Sequence, residues 1–182
     1  LTSEDIDFLL AGDLLNQIIS SNFAASTVGI PFLGLYGACS TMYEAIALAA
    51  VLIDGGFAHK IIAATSSHYA TSERQFRYPT EQAVQKPPTA QWTVTGAGAM
   101  LLGTRDQGEG PVVTFATVGK AVDAGAKDPM NMGAAMAPAA VDTIITHLQD
   151  TGRKVEDYDL IITGDLGSVG RSIAIELANK NG

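Results

Sequence analysis

Apolar residues fall in short blocks punctuated by glycine, proline and polar clusters. Asp7 to Ala11 (Asp-Phe-Leu-Leu-Ala) predicts a short buried strand, closed by Gly12-Asp13 and followed by a helix near Leu14 to Asn22. Pro31 to Tyr36 predicts a second strand that runs into a helix over roughly Ser40 to Ile53. That helix carries one charge, Glu44, and is apolar on nearly every face. Such a helix is expected to be buried all round, with layers packed on both sides of it. Asp54-Gly55-Gly56 closes it through a glycine cap. Lys60 to Ser66 is β-branched and apolar at successive positions, the pattern of a strand in a covered parallel sheet.

Periodicity disappears between Ser67 and Gln91, and a connection of that length is more often functional than idle. Thr93 to Leu102 and Val112 to Val118 predict two strands joined by a turn at 106–110, spaced as an antiparallel pair. After a loop at 123–133, a helix is expected from Pro138 to Gln149, then a strand from Asp159 to Thr163, the pair Gly164-Asp165, and a terminal helix.

One stretch occurs twice. Asp-Ile-Asp-Phe-Leu-Leu-Ala-Gly-Asp-Leu begins at Asp5, and Asp-Tyr-Asp-Leu-Ile-Ile-Thr-Gly-Asp-Leu begins at Asp157. Asp7, Gly12, Asp13 and Leu14 recur in order as Asp159, Gly164, Asp165 and Leu166. So long an offset suits two similar halves rather than a solenoid.

Composition narrows the class. The chain has 182 residues, 47% hydrophobic and 16% charged, with 19 glycines, as expected of a well-buried α/β protein. A net charge of −8 disfavours phosphate-backbone binding, so no nucleic-acid partner is expected. One cysteine excludes an intrachain disulfide framework. The longest apolar run, Ala45 to Ile53, is too short to span a bilayer, and no leader of signal-peptide type opens the chain. It starts at Leu1 and stops at Gly182 just after a helical stretch, and is expected to be a piece of a longer protein.

The lone cysteine, Cys39, lies in Gly37-Ala38-Cys39-Ser40-Thr41-Met42, where a strand gives way to a helix. Unpaired N–H groups and the positive end of the helix dipole favour a thiolate there. The competing reading is a small buried hydrophobe. Of the three histidines, His59 and His147 are expected on solvated surface, while His68 ends a strand and could face Cys39 or cap the strand.

Two related halves, an apolar helix with cysteine at its start, and the small-residue string Thr95-Gly96-Ala97-Gly98-Ala99 resemble the thiolase and ketoacyl-synthase superfamily. A narrower resemblance is carried by Leu10 to Gln17, Phe32 to Met42, Ile62 to His68, Glu73 to Pro79 and Pro87 to Gly98, including Gln91-Trp92-Thr93-Val94-Thr95-Gly96. These segments are similar to the stage V sporulation protein AD family, thiolase-like members of the spore dipicolinate-channel (SpoVA) system. The resemblance implies an α/β, thiolase-like layered α-β-α-β-α fold. The first half, nearly complete, would span 1–135, and the start of a truncated second half 136–182. It further implies dipicolinic acid as ligand and support of its uptake into the developing spore. Other membrane proteins of the SpoVA system would be partners, the location peripheral at the spore inner membrane, and the assembly a homodimer. A chain without most of the second half is expected to expose a large apolar face.

Condensing relatives place a catalytic histidine after the first strand of the second half. Here that position is Gly164, followed by Asp165. A glycine transfers no proton, so the resemblance leans towards a non-catalytic protein. The alternative is an acyltransferase with Cys39 as nucleophile, and a third reading is a scaffold with a vestigial pocket. Dipicolinate is flat and carries two carboxylates, so its site needs fixed donors and an apolar or aromatic wall. The ligand-binding candidates are Cys39, His68, Arg74, Arg77, Lys86, Gln91, Trp92 and Asp165. For Arg74 and Arg77 the competing role is pairing with Glu73 or Glu81, and for Trp92 it is plain core. Asp13 and Asp165 read as matched helix caps, with contact to calcium carried by dipicolinate as the other role of Asp165. No spacing resembles a dedicated metal site, and no cofactor is expected.

Overall fold

A computed structural model describes residues 2–15, 17–68 and 85–181. The chain divides into two compact units, residues 1–73 with 93–116, and residues 74–92 with 117–182.

The first unit is built on a four-stranded sheet. It contains β1 (Phe8–Asp13), α1 (Ile19–Val28), β2 (Phe32–Gly34), α2 (Thr41–Asp54), β3 (Lys60–Ser67) and β4 (Gly96–Gly103). The sheet order is β2-β1-β3-β4, with β1 parallel to both β2 and β3 and β4 antiparallel to β3. The side-chain period of two divides each central strand between two cores. Phe8 and Leu10 of β1 and Ile61 and Ala63 of β3 pack towards α2, with Ala45 and Ala49 opposite them. Leu9 and Ala11 of β1 and Ile62 and Ala64 of β3 pack towards Ala25 of α1. This is why Phe8 to Ala11 and Ile61 to Ala64 are apolar at successive positions: both faces of the sheet are covered there.

Three predicted elements differ. The first helix starts at Ile19 rather than near Leu14. The N–H of Leu14 still bonds the Ser66 carbonyl at 2.9 Å, extending the β1–β3 ladder past the Gly-Asp pair. The helix α2 buries one stripe, Thr41, Ala45 and Ala49, instead of its whole circumference. Tyr43 and Val51 stay exposed because the first unit offers it a single sheet face. Val112 to Val118 joins no ladder among the described residues. After β4 the chain passes through a 3-10 turn (Arg105–Gln107) rather than a hairpin turn, so the expected antiparallel pair with β4 does not form.

In the second unit, α3 (Met132–Thr151) and α4 (Gly167–Lys180) cross at a pair of glycines. A Cβ on Gly170 would lie 2.6 Å from the Gly133 Cα, so the backbones can approach only because both side chains are missing. The start of α3 is earlier than predicted, because Asn131 Oδ1 accepts the Ala134 N–H at 3.1 Å and caps the helix. Pro138 therefore sits inside the helix. His147 is not free surface: its Nδ1 lies 2.8 Å from Thr117 Oγ1 and its Nε2 2.6 Å from the Tyr158 hydroxyl.

The repeat is visible in local geometry. Ser3–Asp5 and Val155–Asp157 are both single 3-10 turns. In the first, Asp5 Oδ2 accepts the Thr2 N–H at 2.7 Å; in the second, Asp157 Oδ2 accepts the Lys154 N–H at 2.8 Å.

Candidate functional site

Cys39 stands on a 3-10 turn (Ala38–Ser40) that leads directly into α2. The thiol is exposed, so the buried-hydrophobe reading does not hold. The preceding Ala38 has φ of +49°, a conformation that costs a residue with a Cβ about 1 kcal/mol. The turn is fixed by Ser40, whose hydroxyl donates to the Gly37 carbonyl at 2.9 Å. A side chain at Gly37 would meet Glu44 Oε2 at 2.6 Å and Ser40 Oγ at 2.7 Å, so the Gly-Ala-Cys order follows from crowding at the start of α2. Thr41 is fully buried, and its hydroxyl has no hydrogen-bond partner among the described residues. Sequence inspection missed Thr41, since a Thr in the first turn of a helix ordinarily finds a backbone carbonyl.

At the end of β1, Gly12 is required by close approach: a Cβ there would run into the Leu35 carbonyl oxygen and sit 2.9 Å from Thr41 Cγ2. Asp13 is buried and its carboxylate is fully engaged. It accepts the N–H of Ser20 at 2.9 Å and of Ser21 at 3.4 Å, the Ser21 hydroxyl at 2.7 Å and the Ser66 hydroxyl at 2.7 Å. It caps α1 from a distance and ties the ends of β1 and β3 together. His68 follows β3 directly and is exposed.

The second unit gathers four other candidates. Lys86 Nζ lies over the Trp92 ring, 5.8 Å from its centroid. Trp92 is 67% exposed, so its indole is not core. Gln91, by contrast, is buried, and its side-chain amide donates to the Asp165 carbonyl oxygen. Asp165 accepts the Trp92 N–H at 3.0 Å through Oδ2 and the Gly167 N–H at 2.8 Å through Oδ1. It thus caps the start of α4, as Asp13 does for α1. Arg74 and Arg77 lie outside the described residues. Among the described residues, no group of three His, Cys, Asp or Glu side chains could hold a metal ion. None of their helices is long and apolar enough to cross a membrane.

Comparison with known proteins agrees with this architecture. The chain resembles 3-oxoacyl-[acyl-carrier-protein] synthase III from Aquifex aeolicus VF5, with a TM-score of 0.65 at 14% identity, covering 98% of this chain and 60% of that one. It also resembles the tetronic acid condensing enzyme AbyA1, with a TM-score of 0.64 at 17% identity over 98% of this chain and 60% of that one. At such identities the likeness establishes the thiolase-like α/β fold and nothing of the chemistry. A curated relative, stage V sporulation protein AD of Bacillus subtilis (strain 168), is 55% identical over 183 residues, spanning 100% of this chain and 53% of its own length. The chain therefore spans about half the length of that relative. The model of the stage V sporulation protein AD family matches residues 1–182. With thiolase-like architecture, a cysteine turn ahead of α2 and this whole-length match, the chain belongs to the stage V sporulation protein AD (SpoVAD) family.

Proposed function

We propose that the protein is a non-catalytic, thiolase-fold binder of dipicolinic acid that supports its uptake into the developing spore. The observation that carries this reading is the match of all 182 residues to a sporulation family rather than to a condensing enzyme. Gly164, which stands where the resemblance to condensing enzymes calls for a proton-transferring histidine, supports it. The ligand candidates are Cys39, His68, Arg74, Arg77, Lys86, Gln91, Trp92 and Asp165. Arginine suits bidentate recognition of a carboxylate, which makes Arg77 the first residue to change. The partners in this reading are other membrane proteins of the SpoVA system, at the spore inner membrane, and a second copy of the chain in a homodimer. Calcium enters only as an ion travelling with the ligand.

Calorimetric titration of dipicolinic acid, with and without calcium, into the protein and its Arg77→Ala variant tests the reading. Saturable binding that weakens about tenfold in the variant, or about 1.4 kcal/mol, is expected. Absence of binding by the wild type would overturn it.

One observation favours a second reading, acyl transfer. Cys39 is exposed on a strained turn at a helix start, the geometry a nucleophile requires. In that reaction the thiolate attacks a thioester carbonyl, an acyl–Sγ bond forms and the original thiol leaves.

A further inference from the structure

We infer that the outward face of α1 is a lipid-contact surface, on which Ile19 and Phe23 enter the headgroup region of a bilayer. The inference rests on the membrane location proposed above and on nothing about the ligand.

The stretch around α1 stands apart in charge. From Leu14 to Tyr43 there is no Asp, Glu, Lys, Arg or His, in a chain that is 16% charged, and no other uncharged stretch is as long. An outer helix of a layered protein ordinarily turns charged and polar residues to water. Here Ser21 and Ala25 are buried against the sheet. Ile19 and Phe23 each precede one of them by two positions, and so lie on the opposite side of the helix. Phe23 is 73% exposed and Ile19 56%.

The polar side chains of the same helix make little demand on water. Asn22 Nδ2 donates to the Ile18 carbonyl at 2.9 Å, Thr27 Oγ1 to the Phe23 carbonyl at 3.0 Å, and Ser21 Oγ to the buried Asp13 carboxylate at 2.7 Å. Taking this face out of water therefore strands few groups. Ile18 anchors the helix from beneath. It is buried, and its φ of +43° is a conformation that a β-branched residue rarely adopts. A side chain at Gly34 would meet Ile18 Cδ1 at 2.6 Å and the Tyr36 hydroxyl at 3.5 Å, so Tyr36 borders the start of α1. An exposed tyrosine at that border suits the level where a bilayer turns from hydrocarbon to water.

Two arguments favour lipid over a protein partner. The helix has 10 residues. It offers a strip about 15 Å by about 10 Å, a small part of the roughly 800 Å² that each partner buries in a stable complex. A bilayer sets no such minimum and needs no match of shape. The second argument is charge. A chain of net charge −8 is repelled by acidic surfaces, and through this face it meets headgroups without bringing a carboxylate to them.

Flotation with phosphatidylcholine vesicles, with and without phosphatidylglycerol, tests this on the protein and on Phe23→Gln, Phe23→Leu, Ile19→Gln and Phe57→Gln. Phe57 is the control: it is 75% exposed, but lies between Asp54 and Lys60. Binding to phosphatidylcholine at millimolar lipid is expected, unchanged by salt because no ion pair holds it. Phosphatidylglycerol should weaken it at low salt, and high salt should restore it. Phe23→Gln should weaken binding about tenfold and Ile19→Gln a few-fold. Phe23→Leu and Phe57→Gln should change it little, with circular dichroism confirming that each variant is folded. Binding that Phe57→Gln reduces as much as Phe23→Gln would overturn the assignment. Binding that requires phosphatidylglycerol and vanishes in high salt would do the same. No flotation at any lipid composition would also overturn it, while leaving attachment through membrane proteins of the SpoVA system standing. Self-association abolished by Phe23→Gln, without flotation, would give the face to a second copy of the chain and overturn the lipid assignment.

Discussion

The two copies of the Gly-Asp unit share a sequence and a local geometry but not an environment. Both open on a 3-10 turn closed by an aspartate that accepts the N–H three residues back, and both end at an aspartate that caps the next helix. In the first copy, the apolar run is a central strand: Leu9 is 6% exposed and Leu10 fully buried, with ladders on both edges. In the second, the equivalent Ile161 and Ile162 are 43% and 64% exposed and join no ladder among the described residues. Turns and caps are local and follow from a few neighbouring residues. A strand is a relation between distant segments, and an apolar run becomes one only where partners are present.

The largest expected effect separates the two runs directly. Leu10→Ala should cost about 3 kcal/mol, because the cavity opens in a packed core. Ile162→Ala should cost less than about 1 kcal/mol, because its side chain is already in contact with water. Urea denaturation of both variants measures the difference, and equal losses would break the comparison. The two capping aspartates should differ less. Asp13→Ala strands two backbone donors and two serine hydroxyls in a buried setting, for about 3 kcal/mol. Asp165→Ala removes an exposed cap, for about 1 kcal/mol. The smallest effect concerns pH. Asp7 accepts the N–H of Lys60 at 2.9 Å and of His59 at 2.6 Å, which hold its carboxyl below the ordinary carboxylate range. A lowered native pKa contributes stability that is complete above the unfolded-state pKa and is lost as pH falls through the native one. Asp7→Asn should therefore flatten the acid limb of stability against pH while leaving its slope near neutrality unchanged, as a denaturation series across pH would show.

Much of the fold is legible in the sequence. The apolar run of β1 and the β-branched run of β3 announce strands covered on both faces, and the recurrence of Asp-x-Asp and Gly-Asp announces two stretches of the same local geometry. What the sequence conceals depends on distant contacts. The start of α1 is delayed because Ser66, far along the chain, extends the ladder through Leu14. His147 looks like a surface residue on a polar helix face until Thr117 and Tyr158 are brought to its two nitrogens. At the candidate site, Cys39 is legible from its place between strand and helix. The exposure of Trp92 is not, because an apolar residue in an irregular segment carries no sign of which way it turns. Its backbone is held from the start of α4, where Asp165 accepts the Trp92 N–H.

The functional account turns on whether the Cys39 turn binds or acylates. Intact-mass measurement after incubation with short acyl thioesters, on the protein and its Cys39→Ser variant, addresses this most directly. The account predicts no mass gain in either protein. A stoichiometric acyl adduct present in the wild type and absent from Cys39→Ser would contradict it, and would make the protein an acyltransferase.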